Sequence, residues 1–283
     1  MNINIKGRRK TSTSSSSGNV EGEKKTTVEI VVISLLNATD RRRRIEAMFE
    51  GSGLNWTYFN AHASLRHAEL QYDPEHAKKR FGRALSVPEV AICSSHVAAL
   101  DEFVKRDSSK YVLIFEDDVI LDVDFPIGKF TTFCAEKGFD YVRLFGKQYA
   151  EAVQLGYFFD RHIVRFKTSP TGAQAYLMSK SGARSFIESF RSIDQPVDLA
   201  IDAFWRTRLP IYSIFPYPII ERYSPSSNLI PSHTNELDAC QQLARFYHRA
   251  INKTKKHWAN VALRTNDRQL KRDIGGFRQI VDR

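Results

Sequence analysis

The chain has 283 residues, 42% of them hydrophobic and 26% charged, which excludes a wholly disordered or fibrous protein and leaves room for one large α/β domain or two small ones. Its three cysteines, Cys93, Cys134 and Cys240, form no C-x-x-C pair, against a disulfide framework, a zinc knuckle or a thiol redox motif. The formal charge of +10 sits at the two ends: six Lys/Arg against two Glu in residues 1–27, and eleven Lys/Arg against three Asp in residues 241–283. Basic tails on a slightly acidic middle suit an anionic membrane surface, or solubility alone, better than nucleic acid, which is not an expected partner.

Residues 1–27 contain the unbroken Ser/Thr tract Thr11–Ser17 and are expected to be a disordered tail. No apolar segment marks a secretory signal and no apolar run reaches 18 residues, so a soluble protein of a reducing compartment is expected. Val28 to Leu36 reads as a buried strand. Asn37 to Asp40 then turn into a helix on which Ile45, Met48 and Phe49 recur at helical spacing. Gly51-Ser52-Gly53 stops that helix before a short strand at Asn55 to Asn60. Ser86-Val87-Pro88-Glu89 combines an N-cap serine, a first-turn proline and a capping-box glutamate, and the helix it opens buries Cys93, Val97, Leu100 and Val104.

Tyr111 to Phe115 is wholly apolar and β-rich, as expected of a central strand covered on both faces, and it ends in Glu116-Asp117-Asp118. Further strands are expected at Tyr141 to Phe145, in a hairpin over Tyr157 to Phe166, at Gln174 to Met178 and at Ile211 to Phe215. Helices are expected at Lys180 to Arg191 and Asp198 to Arg208. Strands alternating with helices around an inserted hairpin imply a three-layer α/β fold with a mixed sheet.

Three adjacent carboxylates at the end of an apolar strand repel one another, so a divalent metal with oxygen ligands is expected at Glu116, Asp117 and Asp118; an acidic turn capping the next element is the alternative. Asp122 and Asp124 read as solvated turn residues. Arg41 to Arg44 lie in the first helical turn, where the dipole disfavours cations, and suit a phosphate or diphosphate, although at least two of the four read as a solvated basic face. The absence of G-x-G-x-x-G and of G-x-x-x-x-G-K-[ST] removes the dinucleotide and P-loop forms of such a site. His96 adjoins a buried stripe and reads as readily as a core histidine. Asp198 and Asp202 lie one helical turn apart, and either carboxylate suits a general base. In the C-terminal segment Leu243, Phe246, Tyr247 and Ile251 fall at helical spacing beside Arg245, Arg249 and Lys253; the apolar residues are expected to dock onto the body and the charges beyond them to face a membrane.

Together these segments resemble glycosyltransferase family 25, the lipooligosaccharide galactosyltransferase-like proteins related to collagen galactosyltransferases. The resemblance runs over most of residues 28 to 230. It is carried by Val31-Val32-Ile33-Ser34-Leu35, Arg83-Ala84-Leu85-Ser86, Glu89, Ser95-His96, Glu116-Asp117-Asp118, Tyr176-Leu177-Met178-Ser179, Gly182-Ala183 and Pro196-Val197-Asp198. Ala91-Ile92 and Ala175 depart from a Gly-Cys pair and a glycine that the family often carries. The resemblance implies a GT-A type domain over 28–235 followed by a helical basic extension over 236–283. It also implies a UDP-sugar donor, often UDP-galactose, and a divalent metal such as manganese. Transfer to a glycan or glycolipid acceptor of lipopolysaccharide assembly would proceed with inversion, at the cytoplasmic face of the inner membrane. The donor site implied takes in Ser34, Asn37, Arg41, Arg42, Ser95, His96, Glu116 and Asp117, with Asp198 or Asp202 as base. A metal-dependent nuclease or phosphatase, with Lys147 near the acidic strand end, and a catalytically silent binding module are the alternatives.

Overall fold

The computed structural model describes residues 27–106, 108–222 and 237–275; the Ser/Thr-rich tail and the end of the basic C-terminal segment lie outside the described residues. One eight-stranded mixed sheet organises the chain. Its strands are β1 (Val28–Ser34), β2 (Trp56–Asn60), β3 (Tyr111–Glu116), β5 (Tyr141–Arg143), β6 (Ala152–Phe158), β7 (Arg161–Phe166), β8 (Ala175–Ser179) and β9 (Ile211–Phe215), in the order β2-β1-β3-β8-β5-β9-β7-β6. A separate two-stranded ladder joins β4 (Val119–Leu121) to β10 (Ile219–Glu221). The β1–β2, β1–β3 and β5–β9 pairs are parallel, while β8 runs antiparallel to both neighbours. The carboxyl ends of β1, β2, β3, β5 and β9 therefore meet at one end of the sheet, where the crevice of an open α/β sheet forms.

Alternation along the strands divides the interior into two cores, because successive side chains of a strand point to opposite faces. Val31, Ile33, Val112 and Ile114 pack against α3 (Val87–Lys105) and α5 (Lys180–Ser189). Ile30, Val32, Leu113 and Phe115 pack against α1 (Thr39–Phe49) and α4 (Ile127–Glu136). The result is the three-layer α/β arrangement expected. Ser86 and Glu89 close the capping box of α3, and Glu89 also pairs with Arg83 at 2.6 Å, so this stretch of the sequence fixes a helix start rather than a ligand.

Several boundaries differ from the sequence expectation. The helix expected over Asp198 to Arg208 is two short ones, α6 (Val197–Ile201) and α7 (Phe204–Thr207), broken because the Asp202 side chain turns inward to a buried partner. The hairpin's first strand starts at Ala152, with a bulge between Gln154 and Gly156. Helix α2 (Pro74–Arg80), α4, β4 and β10 were not foreseen. The 37-residue helix α8 (Ala239–Gly275) closes the chain and touches α2, α7 and β6. Its inward face is polar where it meets the sheet: Arg165 of β7, 1% exposed, holds Asp267 through Nε–Oδ1 at 2.6 Å and Nη2–Oδ2 at 2.7 Å, and donates to Asn260 Oδ1 at 2.9 Å. Beyond that pair Leu270 and Ile274 complete the second core. Gly156 is required there, since a Cβ would stand 2.4 Å from Ile274.

Candidate active site

The end of β3 carries the acidic triplet, but its three side chains diverge. Glu116 lies 3.3 Å from His96 Nε2, and His96 Nδ1 lies 3.0 Å from the Tyr176 hydroxyl, so the buried histidine links α3, β3 and β8. Asp117 accepts from Ser34 Oγ at 2.6 Å and pairs with Arg41 Nη1 at 2.9 Å. Burial raises the Asp117 carboxyl above its usual range, opposed by those two partners. Asp118 forms no such contact: its Oδ1 is buried and without a hydrogen-bond partner, and Arg41 acts on it only through its charge. Burial, then the charges of Glu116, Glu221 and Asp117, push its pKa up to about 7.

Glu221 reaches this point because β10 pairs with β4, and Arg222 N–H donates to the Asp118 carbonyl at 2.6 Å. Its Oε1 accepts from Lys147 Nζ and from Gln174 Nε2, both at 3.1 Å, while Gln174 Oε1 is a second buried oxygen without a partner. Neither Glu221 nor Gln174 was singled out from sequence. The one available signal was that Ile219-Ile220-Glu221 repeats the pattern of apolar strand followed by acid seen at β3.

The three carboxylates expected to hold a metal together have separate partners here. Among the described residues no three histidine, cysteine or carboxylate side chains group as a metal cage, since Asp117 is turned to Ser34 and Arg41 and Glu116 to His96. The donor chemistry still fits a hard divalent cation. Such ions are commonly held by one or two carboxylates, with substrate phosphates and water completing the shell, and the partnerless Asp118 oxygen is a carboxylate of that kind.

The other expected site residues separate into two groups. Arg42 spans the ends of β1 and β2, donating to Ser34 O at 3.0 Å and Asn60 Oδ1 at 2.7 Å with Tyr58 4.3 Å beneath it, so it clamps strands. Ser34 is consumed by Asp117 and Arg42, and Ser95 by Ala91 O and His62 N–H. Asn37 is exposed in the turn before α1, and Arg43 and Arg44 point to solvent, which leaves Arg41 as the arginine at the acidic cluster.

Asp198 and Asp202 have different surroundings. Asp198 Oδ2 accepts from Gly172 N–H at 2.8 Å and Oδ1 from Leu199 N–H at 2.9 Å; it is partly exposed, and each oxygen keeps acceptor capacity. Gly172 adopts φ +78°, and a Cβ there would meet Gln174 Oε1 at 2.5 Å, so glycine is needed where this N–H is presented. Asp202 is 1% exposed. It is saturated by Arg143 Nη1 at 2.9 Å to both oxygens, by the Tyr141 hydroxyl at 2.8 Å and by Ser169 Oγ. Of the two carboxylates, Asp198 therefore keeps free acceptor capacity and Asp202 does not. Arg143 also donates to Thr171 O at 2.6 Å, so this buried hub holds the loop that presents Gly172.

Residues 27–202 match glycosyltransferase family 25, described as LPS biosynthesis protein. The chain belongs to this family. The lacto-N-neotetraose biosynthesis glycosyltransferase LgtE of Neisseria meningitidis serogroup B is 29% identical over 208 residues, covering 65% of this chain and 71% of that protein. Among solved structures, A197 from STIV is similar at 11% identity with a TM-score of 0.38, covering 73% of this chain and 99% of its own. A glycosyltransferase involved in glycosylation of the major capsid of PBCV-1 is similar at 13% identity with a TM-score of 0.31, covering 57% and 65%. Family 25 membership makes the chain a glycosyltransferase of the lipopolysaccharide-biosynthesis type, acting between a sugar donor and a glycan acceptor. Among the described residues no helix is long and apolar enough to cross a membrane.

Proposed function

We propose that the protein transfers a hexose, galactose in the first instance, from a UDP-sugar to a saccharide acceptor of lipopolysaccharide or lipooligosaccharide, with inversion and with a divalent metal, manganese in the first instance. The observation that carries this reading is the buried Asp118 oxygen without a partner, at the carboxyl end of β3, with its pKa raised to about 7. An uncompensated carboxylate of that kind is costly in the free protein and is neutralised by a bound cation. The role of LgtE in lacto-N-neotetraose biosynthesis, as its name states it, supports a hexose donor.

Asp118 would hold the metal, with Glu221 as a further carboxylate whose charge acts on it. When bound, the metal supplies Lewis-acid stabilisation of charge on the diphosphate. Arg41, already beside Asp117, offers a second cation for phosphate oxygens. Asp198 takes the proton of the acceptor hydroxyl as that oxygen forms its bond to the anomeric carbon. The bond from the anomeric carbon to the diphosphate breaks in the same displacement, and UDP leaves with the electron pair. Gly172 and Leu199 N–H hold the Asp198 carboxylate in place, and one displacement inverts the anomeric centre.

The test is UDP release from a panel of UDP-sugars with manganese, with and without EDTA. UDP-galactose is expected to be the best donor and EDTA to abolish turnover. Full turnover in EDTA, or release from no UDP-sugar, would overturn the reading.

A further inference from the structure

Of the four apolar residues expected to dock at the start of α8, Ile251 is half-buried and the other three face outward. Leu243, Phe246, Tyr247 and Trp258 are 70%, 72%, 62% and 64% exposed, contrary to the expectation that the first three pack onto the body. At 100° per residue they fall on one face, opposite Asp267, Leu270 and Ile274, which point into the protein. From Leu243 to Trp258 this stripe runs about 22 Å along the helix. Tyrosine and tryptophan rings of this kind, with an apolar body and a polar tip, favour the boundary between hydrocarbon and water.

Arg249 and Lys253, three and seven residues after Phe246, border the stripe, while Arg245 and Lys256 turn toward the body. Between α8 and Trp205 lies a groove of about 1100 Å³ whose wall includes Arg245, Arg249, Lys253 and Lys256 and no acidic side chain. Arg245 Nε is buried without a hydrogen-bond partner. Lys256 lies 5.9 Å from the Trp205 ring, and burial lowers its pKa. Among the described residues Arg249 and Lys253 make no ion pair. Arg249 and Lys253 beside an exposed aromatic stripe lack two things at once, an apolar layer and a dense array of anions.

We propose that this face of α8 lies in the plane of an anionic lipid bilayer, with Leu243, Phe246 and Trp258 entering the acyl boundary and Arg249 and Lys253 taking lipid phosphates. A bilayer supplies both missing partners, whereas a second copy of the same face would bring cations against cations. A lipid-linked acceptor would then be met at the surface where it resides. That consequence rests on the proposed function, but the binding itself is measured without donor or acceptor, so the two can fail separately.

The full chain is sedimented with vesicles of phosphatidylcholine alone and of phosphatidylcholine with phosphatidylglycerol, at low and high salt. Binding is expected to the anionic vesicles only and to be lost at high salt, each removed charge costing on the order of fivefold in affinity. Arg249→Glu with Lys253→Glu, and separately Phe246→Ala with Trp258→Ala, should each weaken binding at least tenfold. Thermal melting should be unchanged in both pairs because all four side chains face solvent. Equal binding to both vesicle types, or unweakened binding by either pair, would overturn the proposal. Competition by millimolar inorganic phosphate would overturn it in favour of a soluble phosphate ligand. A lipid-free dimer abolished by Phe246→Ala with Trp258→Ala would overturn it in favour of a second copy.

Discussion

Asp118 carries the most informative charge in the molecule. Its carboxyl titrates at about 7 when folded, against about 3.9 in an unfolded chain. Between those values the folded state holds a proton the unfolded state lacks, so this group's contribution to stability falls as pH rises from 4 to 7 and stays low above 7. Asp118→Asn removes the charge with little change of volume. In EDTA the variant should therefore gain stability over wild type progressively as pH rises from 4 to 8, read from melting curves across that range. Manganese should raise the wild-type melting temperature at pH 8 and leave the variant's unmoved, while turnover in the variant falls at least a hundredfold. A variant that is no more stable at pH 8 would show that the carboxylate is already compensated. The two aspartates of the α6 region should separate in the same way. Asp198→Asn is expected to lower kcat roughly a hundredfold or more at unchanged donor KM. Asp202→Asn leaves Arg143 buried without its counter-charge and should cost about 3–5 kcal/mol of stability, seen as a lowered melting temperature.

At the scale of single elements, α8 is held by the buried Arg165–Asp267 pair together with Leu270 and Ile274. Arg165→Met alone should strand Asp267 and destabilise the protein by about 3–5 kcal/mol, whereas Arg165→Met with Asp267→Leu should recover most of that loss, measured as a double-mutant cycle in denaturant. This element also shows where sequence is informative and where it is not. The strand Tyr111–Phe115 and the position of its acidic end are legible because a strand covered on both faces must be apolar throughout, and all five residues are buried. The start of α3 is legible because a capping box is local chemistry. The orientation of α8 is not, because hydrophobic periodicity points to Leu243, Phe246 and Tyr247, while the face that docks is chosen by Arg165, 102 residues earlier. The fates of Asp198 and Asp202 are hidden for the same reason: their spacing is helical, but Arg143 captures one of them from 59 residues away. Glu221 enters the site through a strand pairing that no local pattern encodes.

Across the whole molecule, the acidic crevice at one end of the sheet is set against basic residues at the two ends of the sequence, which accounts for a net charge of +10 on a protein whose candidate site is acidic. Helix α8 is also part of the interior, since Leu270 and Ile274 share a core with Val32 and Phe115. The described chain should therefore unfold in one transition, with circular dichroism and tryptophan fluorescence melting together; two separated transitions would show that α8 is independently attached. This arrangement has a consequence for synthesis. Leu155 and Ile163 of the β6–β7 hairpin belong to the same core as Leu270 and Ile274, and Asp267 follows Arg165 by 102 residues. At ribosomal speeds of about 5–20 residues per second, the hairpin emerges roughly 5–20 s before the helix that covers it. In that interval an edge strand and its apolar face are open to other nascent chains. A chain ending before Ala239 would remain permanently in that condition, accumulating as aggregate rather than as a smaller transferase.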